Sequence, residues 1–307
     1  MTQADAISKS DALIALMGLT GAGKTTFANV AVGDPTKLQV GHGVNPCTQD
    51  PQIVRFALDG RTVVLIDTPG FDDDTRSDVE ILQDIVKWLA DKGYLKKYRL
   101  DGLIMLHPIT MNRVGGTERR RTRLLQKILG EKAYERIIIA TTMWDDMKSE
   151  DAMQSRLDGR KAAGGVWAEL VGKGTQIVRH QNNQESTHKI IRKIIKTSDR
   201  LGKLEPLLQT ELEINPRVVT TSAGKEVKSE ILKSIKKTRK DIKEHQQTRP
   251  QRPGKRCSDA TIRREWKEWR EDERLLDEKL DMLEFRLKKL NSLSFRFKSF
   301  LSSLFGR

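Results

Sequence analysis

Along the first 224 residues, short apolar runs alternate with stretches in which apolar positions recur every third or fourth residue, and polar, glycine-containing segments separate them. Runs this short read as buried strands, and the longer periodic stretches as amphipathic helices. Strands are predicted at DALIALMG (11–18), QIVRFALD (52–59), RTVVLIDT (61–68), DGLIMLHP (101–108), RIIIATT (136–142) and TQIVRH (175–180). Helices are predicted over 24–32, 78–91, 117–129, 150–171 and 186–197. Strands alternating with helices predict an α/β fold of three layers, a mostly parallel sheet with helices on both faces.

After Gly224 the strand pattern stops and the chain becomes charged and helical. A helix over about 225–247 places Val227, Ile231, Ile235 and Ile242 on one stripe. RPQRPGKRCSD, with two prolines and a glycine, then interrupts it. A second helix over about 260–290 carries Ile262, Trp266, Trp269, Glu273, Leu276, Leu280, Leu283, Leu287 and Leu290 at alternating steps of four and three, a seam with one polar break. That seam either folds back on the preceding helix or the strand-bearing domain, or forms an intermolecular coiled coil. The expected organisation is a domain over 1–224, a basic helical hairpin or coiled-coil extension over 225–290, and an amphipathic tail over 291–307.

Charge sharpens this division. The net charge is +14, and residues 225–307 hold 24 Lys and Arg against 14 Asp and Glu, a net +10, while the remaining residues carry +4. Such a segment suits an anionic membrane surface, an acidic partner or nucleic acid; no nucleic-acid motif accompanies it, so nucleic acid is not the expected partner. Cys47 and Cys257 lie far apart in unrelated contexts, which gives no disulfide framework or metal cluster and fits a reducing, cytoplasmic compartment. No stretch approaches the roughly 20 apolar residues that span a bilayer. The apolar run near the N-terminus feeds straight into a glycine-rich motif and reads as a strand, not a signal peptide.

That motif, GLTGAGKT (18–25), lies between a predicted strand and a predicted helix and fits the phosphate-binding loop G-x-x-x-x-G-K-[ST]. Gly18, Thr20, Gly21, Ala22 and Gly23 would turn the backbone so that successive N–H groups meet phosphate oxygens, with Thr26 following in the helix. Lys24 would reach the β- and γ-phosphates, and Thr25 would place its hydroxyl on Mg²⁺. DTPG (67–70) follows the strand TVVLI, where Asp67 would support the metal and Gly70 would sense the γ-phosphate. In the intervening loop, Thr48 is positioned to complete the metal shell; His42 reads as a solvated residue. Together these predict a P-loop GTPase domain using GTP/GDP and Mg²⁺.

GLTGAGKTT, CTQD, VVLIDTPGFDDDTRSD, HPITMNRVGG, TTMWDD, RHQNNQES and TTSAG together resemble the septin-like (paraseptin) TRAFAC GTPases, which include the immunity-associated GIMAP proteins and the chloroplast Toc receptors. The resemblance covers about residues 10–224 and is nearest to fungal G-domain P-loop proteins. It implies that TMWD (142–145) is the relaxed T-x-x-D form of the base-reading tetrad. Asp145 would then accept from guanine N1–H and N2–H₂, a donor pair that adenine lacks. Trp144 either stacks on the base or belongs to the core. Asn182 or Asn183, in RHQNN, would supply a second base contact, with TTSAG (220–224) ranked after it.

Phe71 stands where Ras-like enzymes keep a water-orienting glutamine. Hydrolysis is therefore expected to be slow, or completed by a second chain. The resemblance implies homodimers facing across their nucleotides, with Arg113 as a candidate trans-acting finger; ERRRTR (118–123) reads as a basic helix face. The tail LNSLSFRFKSFLSSLFGR puts leucines and phenylalanines on one face with Arg296 and Lys298 beside it, suited either to peripheral membrane contact or to docking on protein. The function expected is a nucleotide-controlled dimerisation or scaffold switch with low GTPase turnover. A non-hydrolysing scaffold and an ATP-binding P-loop protein are the alternatives.

Overall fold

A computed structural model describes residues 8, 10–38, 52–67, 77–91, 99–111, 115–146, 149–250, 252–254 and 259–294. Six strands form one sheet: β1 (Ala12–Gly18), β2 (Gln52–Leu58), β3 (Arg61–Asp67), β4 (Gly102–Pro108), β5 (Ile137–Thr142) and β6 (Gln176–Arg179), in the spatial order β2-β3-β1-β4-β5-β6. Every pairing is parallel except β2 with β3, which is an antiparallel hairpin. Asp59 and Gly60 make its two-residue turn with φ of 50° and 76°, the left-handed pair that an Asp-Gly turn supplies.

The period-2 alternation of the strands divides the core into two layers. Leu13, Ala15, Met17, Val64, Ile66, Leu103, Ile137 and Ile139 face one side. Ala12, Ile14, Leu16, Val63, Leu65, Ile104, Leu106, Ile138 and Ala140 face the other. On the second side lie α1 (Lys24–Val32), through Phe27, Ala28 and Ala31, and α6 (Gln184–Leu201), through Ile190, Ile191 and Ile194. On the first side lie α2 (Asp78–Asp91) and α3 (Gly116–Leu129). This is the three-layer α/β architecture read from the sequence.

One predicted helix is two. The stretch expected to run over 150–171 forms α4 (Glu150–Lys161) and the short α5 (Ala168–Gly172). Gly164, at φ 78°, and Gly165, where a Cβ would lie 2.3 Å from the Arg160 carbonyl oxygen, turn the chain between them. The break seats Trp167, 1% exposed, in the core. Two 3-10 turns, Glu131–Arg136 and Val218–Thr220, and a short helix α7 (Leu207–Ile214) were not foreseen, since segments of a turn or two carry little periodicity.

Two long helices follow, α8 (Ser222–Gln247) and α9 (Ala260–Ser292). The first starts three residues before its predicted position because the Thr221 hydroxyl accepts from Gly224 N–H at 3.0 Å, an N-cap. They pack on each other, and the seam of α9 folds back within the chain: Leu283 and Leu290, with Val227, Ile231 and Ile235 of α8, join the same apolar cluster as the sheet. The apolar core therefore continues past Gly224. At the far end of the hairpin, His245 and Trp269 stack at 4.8 Å and exchange hydrogen bonds with each other's backbone carbonyls. Of the amphipathic tail, only residues 291–294 lie among those described.

The buried carboxylate Asp101 fastens the end of β4 opposite the phosphate loop. It is 0% exposed, accepts from Leu13 N–H and Ser198 Oγ at 2.7 Å each, and lies 3.0 Å from Lys203 Nζ. Full satisfaction is what makes such a charge tolerable inside a protein.

Candidate nucleotide site

The phosphate loop leaves β1 and enters α1. Gly18 has φ 143°, and a Cβ there would lie 2.3 Å from the Leu106 carbonyl oxygen, so no other residue fits beside β4. Gly21 and Gly23 sit at φ 77° and 91°, the left-handed region. Ala22 is buried at the centre of the loop, while Thr20 is exposed and Thr26 half-buried in the first turn of α1. The unpaired N–H groups of a helix N-terminus and the loop amides make a site for anions.

Lys24 is 7% exposed and donates from Nζ to the carbonyl oxygens of Gly18 (3.1 Å) and Leu19 (2.8 Å), which holds the ammonium within the loop's concavity. Thr25 Oγ1 donates to Asp67 Oδ2 at 2.7 Å. Asp67 is wholly buried, its Oδ1 has no hydrogen-bond partner, and burial pushes its carboxyl pKa up, against the opposing pull of Thr25 and Lys24. A buried carboxylate oxygen without a partner, paired with a hydroxyl, is a hard-oxygen donor set that fits a small divalent cation.

The side expected to meet the base is built from side chains. Thr142, ending β5, donates from Oγ1 to the Ala22 carbonyl at 3.1 Å, so the TMWD turn is fastened to the phosphate loop. Met143 sits at φ 60°, a left-handed conformation for a non-glycine residue. Asp145 is exposed at the tip of the turn. Trp144 resolves in favour of core: it is 6% exposed, packs with Ile109 and Met153, and donates from Nε1 to the carbonyl and hydroxyl oxygens of Thr141 at 3.1 Å each.

The loop after β6 closes the neighbouring edge. His180 N–H donates to the Thr141 carbonyl at 2.9 Å, which joins this loop to the TMWD turn. The His180 ring lies 5.0 Å from Phe27 of α1, and burial lowers its pKa to about 4, so it is neutral near pH 7. Asn183 is occupied as the N-cap of α6, its Oδ1 accepting from Ser186 N–H at 2.8 Å. Asn182 stands exposed at φ 51°. Of the two asparagines, Asn182 is the one whose side chain is not committed to the helix cap.

TTSAG serves another purpose. Thr221 caps α8, Ser222 Oγ donates to Glu211 at 2.6 Å, and Gly224 is pressed against the Val218 carbonyl, all on the helical-extension side of the core. ERRRTR lies on α3, and part of it is buried: Glu118 and Arg121 are 8% and 9% exposed, and Arg120 Nε lies 2.9 Å from Asp78 Oδ2 at the start of α2. Thr48, Gly70, Phe71 and Arg113 lie outside the described residues. Sequence reasoning missed the Thr142 tie to Ala22, and nothing local could have signalled a contact across 120 positions.

The AIG1 family model matches residues 12–189, more than half of the chain and all six strands. The chain belongs to the AIG1 family. With that it is a GTP-binding protein of the P-loop GTPase class. Among solved structures, Toc33 from Arabidopsis thaliana, in complex with GDP and Mg²⁺, is similar to this AIG1-family chain with a TM-score of 0.50 and 16% identity, covering 64% of this chain and 87% of that one. Era from Aquifex aeolicus, bound to GDP and AlF4⁻, has a TM-score of 0.42 and 15% identity over 61% of this chain and 56% of that one. The Toc33 likeness concerns the fold. No curated protein is similar enough to count as a relative.

Proposed function

We propose that this chain binds GTP and GDP with Mg²⁺, hydrolyses GTP slowly to GDP and phosphate, and works as a nucleotide-controlled dimerisation or scaffold switch. The observation that carries the reading is the Thr25–Asp67 pair behind a glycine-shaped phosphate loop, with one buried Asp67 oxygen unpartnered. Solved neighbours include Toc33 with GDP and Mg²⁺ and with Mg²⁺ and GMPPNP. When bound, Mg²⁺ would neutralise phosphate charge. Thr25 and Thr48 would ligate it and Asp67 would support it. Lys24 would stabilise charge on the β,γ bridge, and Gly70 would report the γ-phosphate.

Asp145 would read guanine, with Asn182 in support. Phe71 in place of a glutamine favours slow turnover in the isolated chain. One neighbouring structure is described as showing that dimerisation is important for the GTPase activity of chloroplast translocon components. By that analogy a homodimer with Arg113 acting in trans would raise the rate. The proposed setting is cytoplasmic, with the tail on an anionic membrane surface; failure of the full chain to float with anionic vesicles in either nucleotide state would rule out the membrane part.

The deciding test is equilibrium binding of GDP, a GTP analogue and ADP to wild type and Asp145→Ala. Guanine preference that falls by at least about tenfold in the variant supports the reading, on the scale of a lost pair of charge-assisted hydrogen bonds. Equal binding of ADP by the wild type would overturn it. Turnover per chain should rise with protein concentration; a constant rate would remove the dimer from the mechanism.

A further inference from the structure

The two loops that flank the base side share an uncommon feature. Outside the β2–β3 turn, the non-glycine residues with positive φ among the described residues are Met143 and Asn182, one in each loop. Asparagine adopts left-handed backbone readily, whereas at a methionine such as Met143 it persists only where the surroundings enforce it. The enforcement is visible at the ends of β5 and β6. The Thr141 carbonyl accepts from both His180 N–H and Trp144 Nε1, so one oxygen ties the loops together.

Over the indole lies the guanidinium of Arg179, 4.3 Å from the ring centroid. Arg179 is the last residue of β6 and also pairs with Glu150 at the start of α4. The indole is therefore held at its edge by Thr141 and across its face by a cation from the adjacent strand. A planar guanidinium suits this stack in a way that a lysine ammonium does not.

We propose that Arg179 is a positioning residue for base selection: by stacking on Trp144 it fixes the TMWD turn, and so sets where Asp145 meets the base. The inference rests on the reading of Asp145 given above. Arg179 need not touch the nucleotide, and its side chain is 40% exposed, so its removal leaves the core intact. It differs in this from Thr142, which reaches the phosphate loop directly.

The test is the ratio of ADP to GDP dissociation constants, measured with full-length wild type, Arg179→Ala, Arg179→Lys, Glu150→Gln and Asp145→Ala, beside the melting temperature of each. Arg179→Ala should lower the ratio about tenfold through weaker GDP binding, with ADP affinity and melting temperature nearly unchanged. Arg179→Lys should behave like Arg179→Ala, because it keeps the charge and loses the planar stack; Glu150→Gln should keep most of the wild-type ratio. A ratio unchanged in Arg179→Ala but collapsed in Asp145→Ala would overturn the proposal and leave the reading of Asp145 standing. A ratio indifferent to Asp145→Ala would overturn that reading, and this proposal with it. Equal losses of GDP and ADP binding with a lowered melting temperature would make Arg179 merely structural and also overturn it.

Discussion

The phosphate end and the proposed base end of this site are built by opposite means. At the phosphate end the shape belongs to the backbone: Gly18, Gly21 and Gly23 occupy conformations open chiefly to glycine, and Lys24 closes onto carbonyls five and six residues away. At the proposed base end the shape belongs to side chains that reach distant segments, Thr142 to Ala22 and Arg179 to Trp144, around an indole held locally by Thr141. A site whose geometry is local tolerates little substitution within a few residues. A site whose geometry is long-range distributes its tolerance over distant positions.

The strongest challenge to this contrast is Gly18→Ala. The added methyl would meet backbone at 2.3 Å, where no side chain can move aside, in a conformation that alanine resists. A loss of about 3 kcal/mol in chemical denaturation, together with loss of nucleotide binding, is expected. Wild-type stability in that variant would mean that the loop is not backbone-determined.

Acid pH probes the base end through His180. Its pKa falls from 6.5 to about 4 in the fold because burial disfavours the charged ring. Between those values the unfolded chain binds a proton that the folded chain does not, so stability falls as pH drops from about 6.5 and levels off below about 4. The contribution is on the order of 3 kcal/mol. Urea titrations of wild type and His180→Gln should diverge over that window, the variant losing less as pH falls; parallel curves would remove His180 from the acid response.

Asn183→Ala and Asn182→Ala separate a helix cap from a base contact. The first removes the Asn183–Ser186 bond and should cost about 1 kcal/mol of stability with little effect on GDP affinity. The second should weaken GDP binding at unchanged stability. Exchanged outcomes would reassign the two residues. The smallest effect, about 1 kcal/mol or less, is expected from Thr142→Val, which deletes one hydrogen bond between the two halves while keeping side-chain volume. Because it joins them, its loss should register in both GDP and ADP binding.

Much of the phosphate half is legible in the sequence alone. G-x-x-x-x-G-K-T compresses its strand, turn, helix and ligands into eight consecutive residues, and glycine spacing encodes the required backbone. The central strands β1, β3, β4 and β5 were equally legible, because both faces of the sheet are covered there and they appear as continuous apolar runs. The division of 150–171 was harder to read: a glycine pair within a helix-compatible stretch does not say which later residue needs burial, and Trp167 decided it. Nor could TTSAG be told from a base loop until Thr221 was found capping α8.

By itself, then, the sequence determined what depends on neighbours in the chain: the phosphate loop, strand and helix identities, and the charge asymmetry between 1–224 and 225–307. Tertiary structure decided what depends on strands being side by side. It chose core over base-stacking for Trp144, tied Thr142 to the Ala22 carbonyl, and set Arg179 over an indole 35 residues earlier in the chain. The physical reason is that a hydrogen bond or a stacked ring is a relation between two positions in space, and adjacency across a sheet leaves no periodicity in either segment alone.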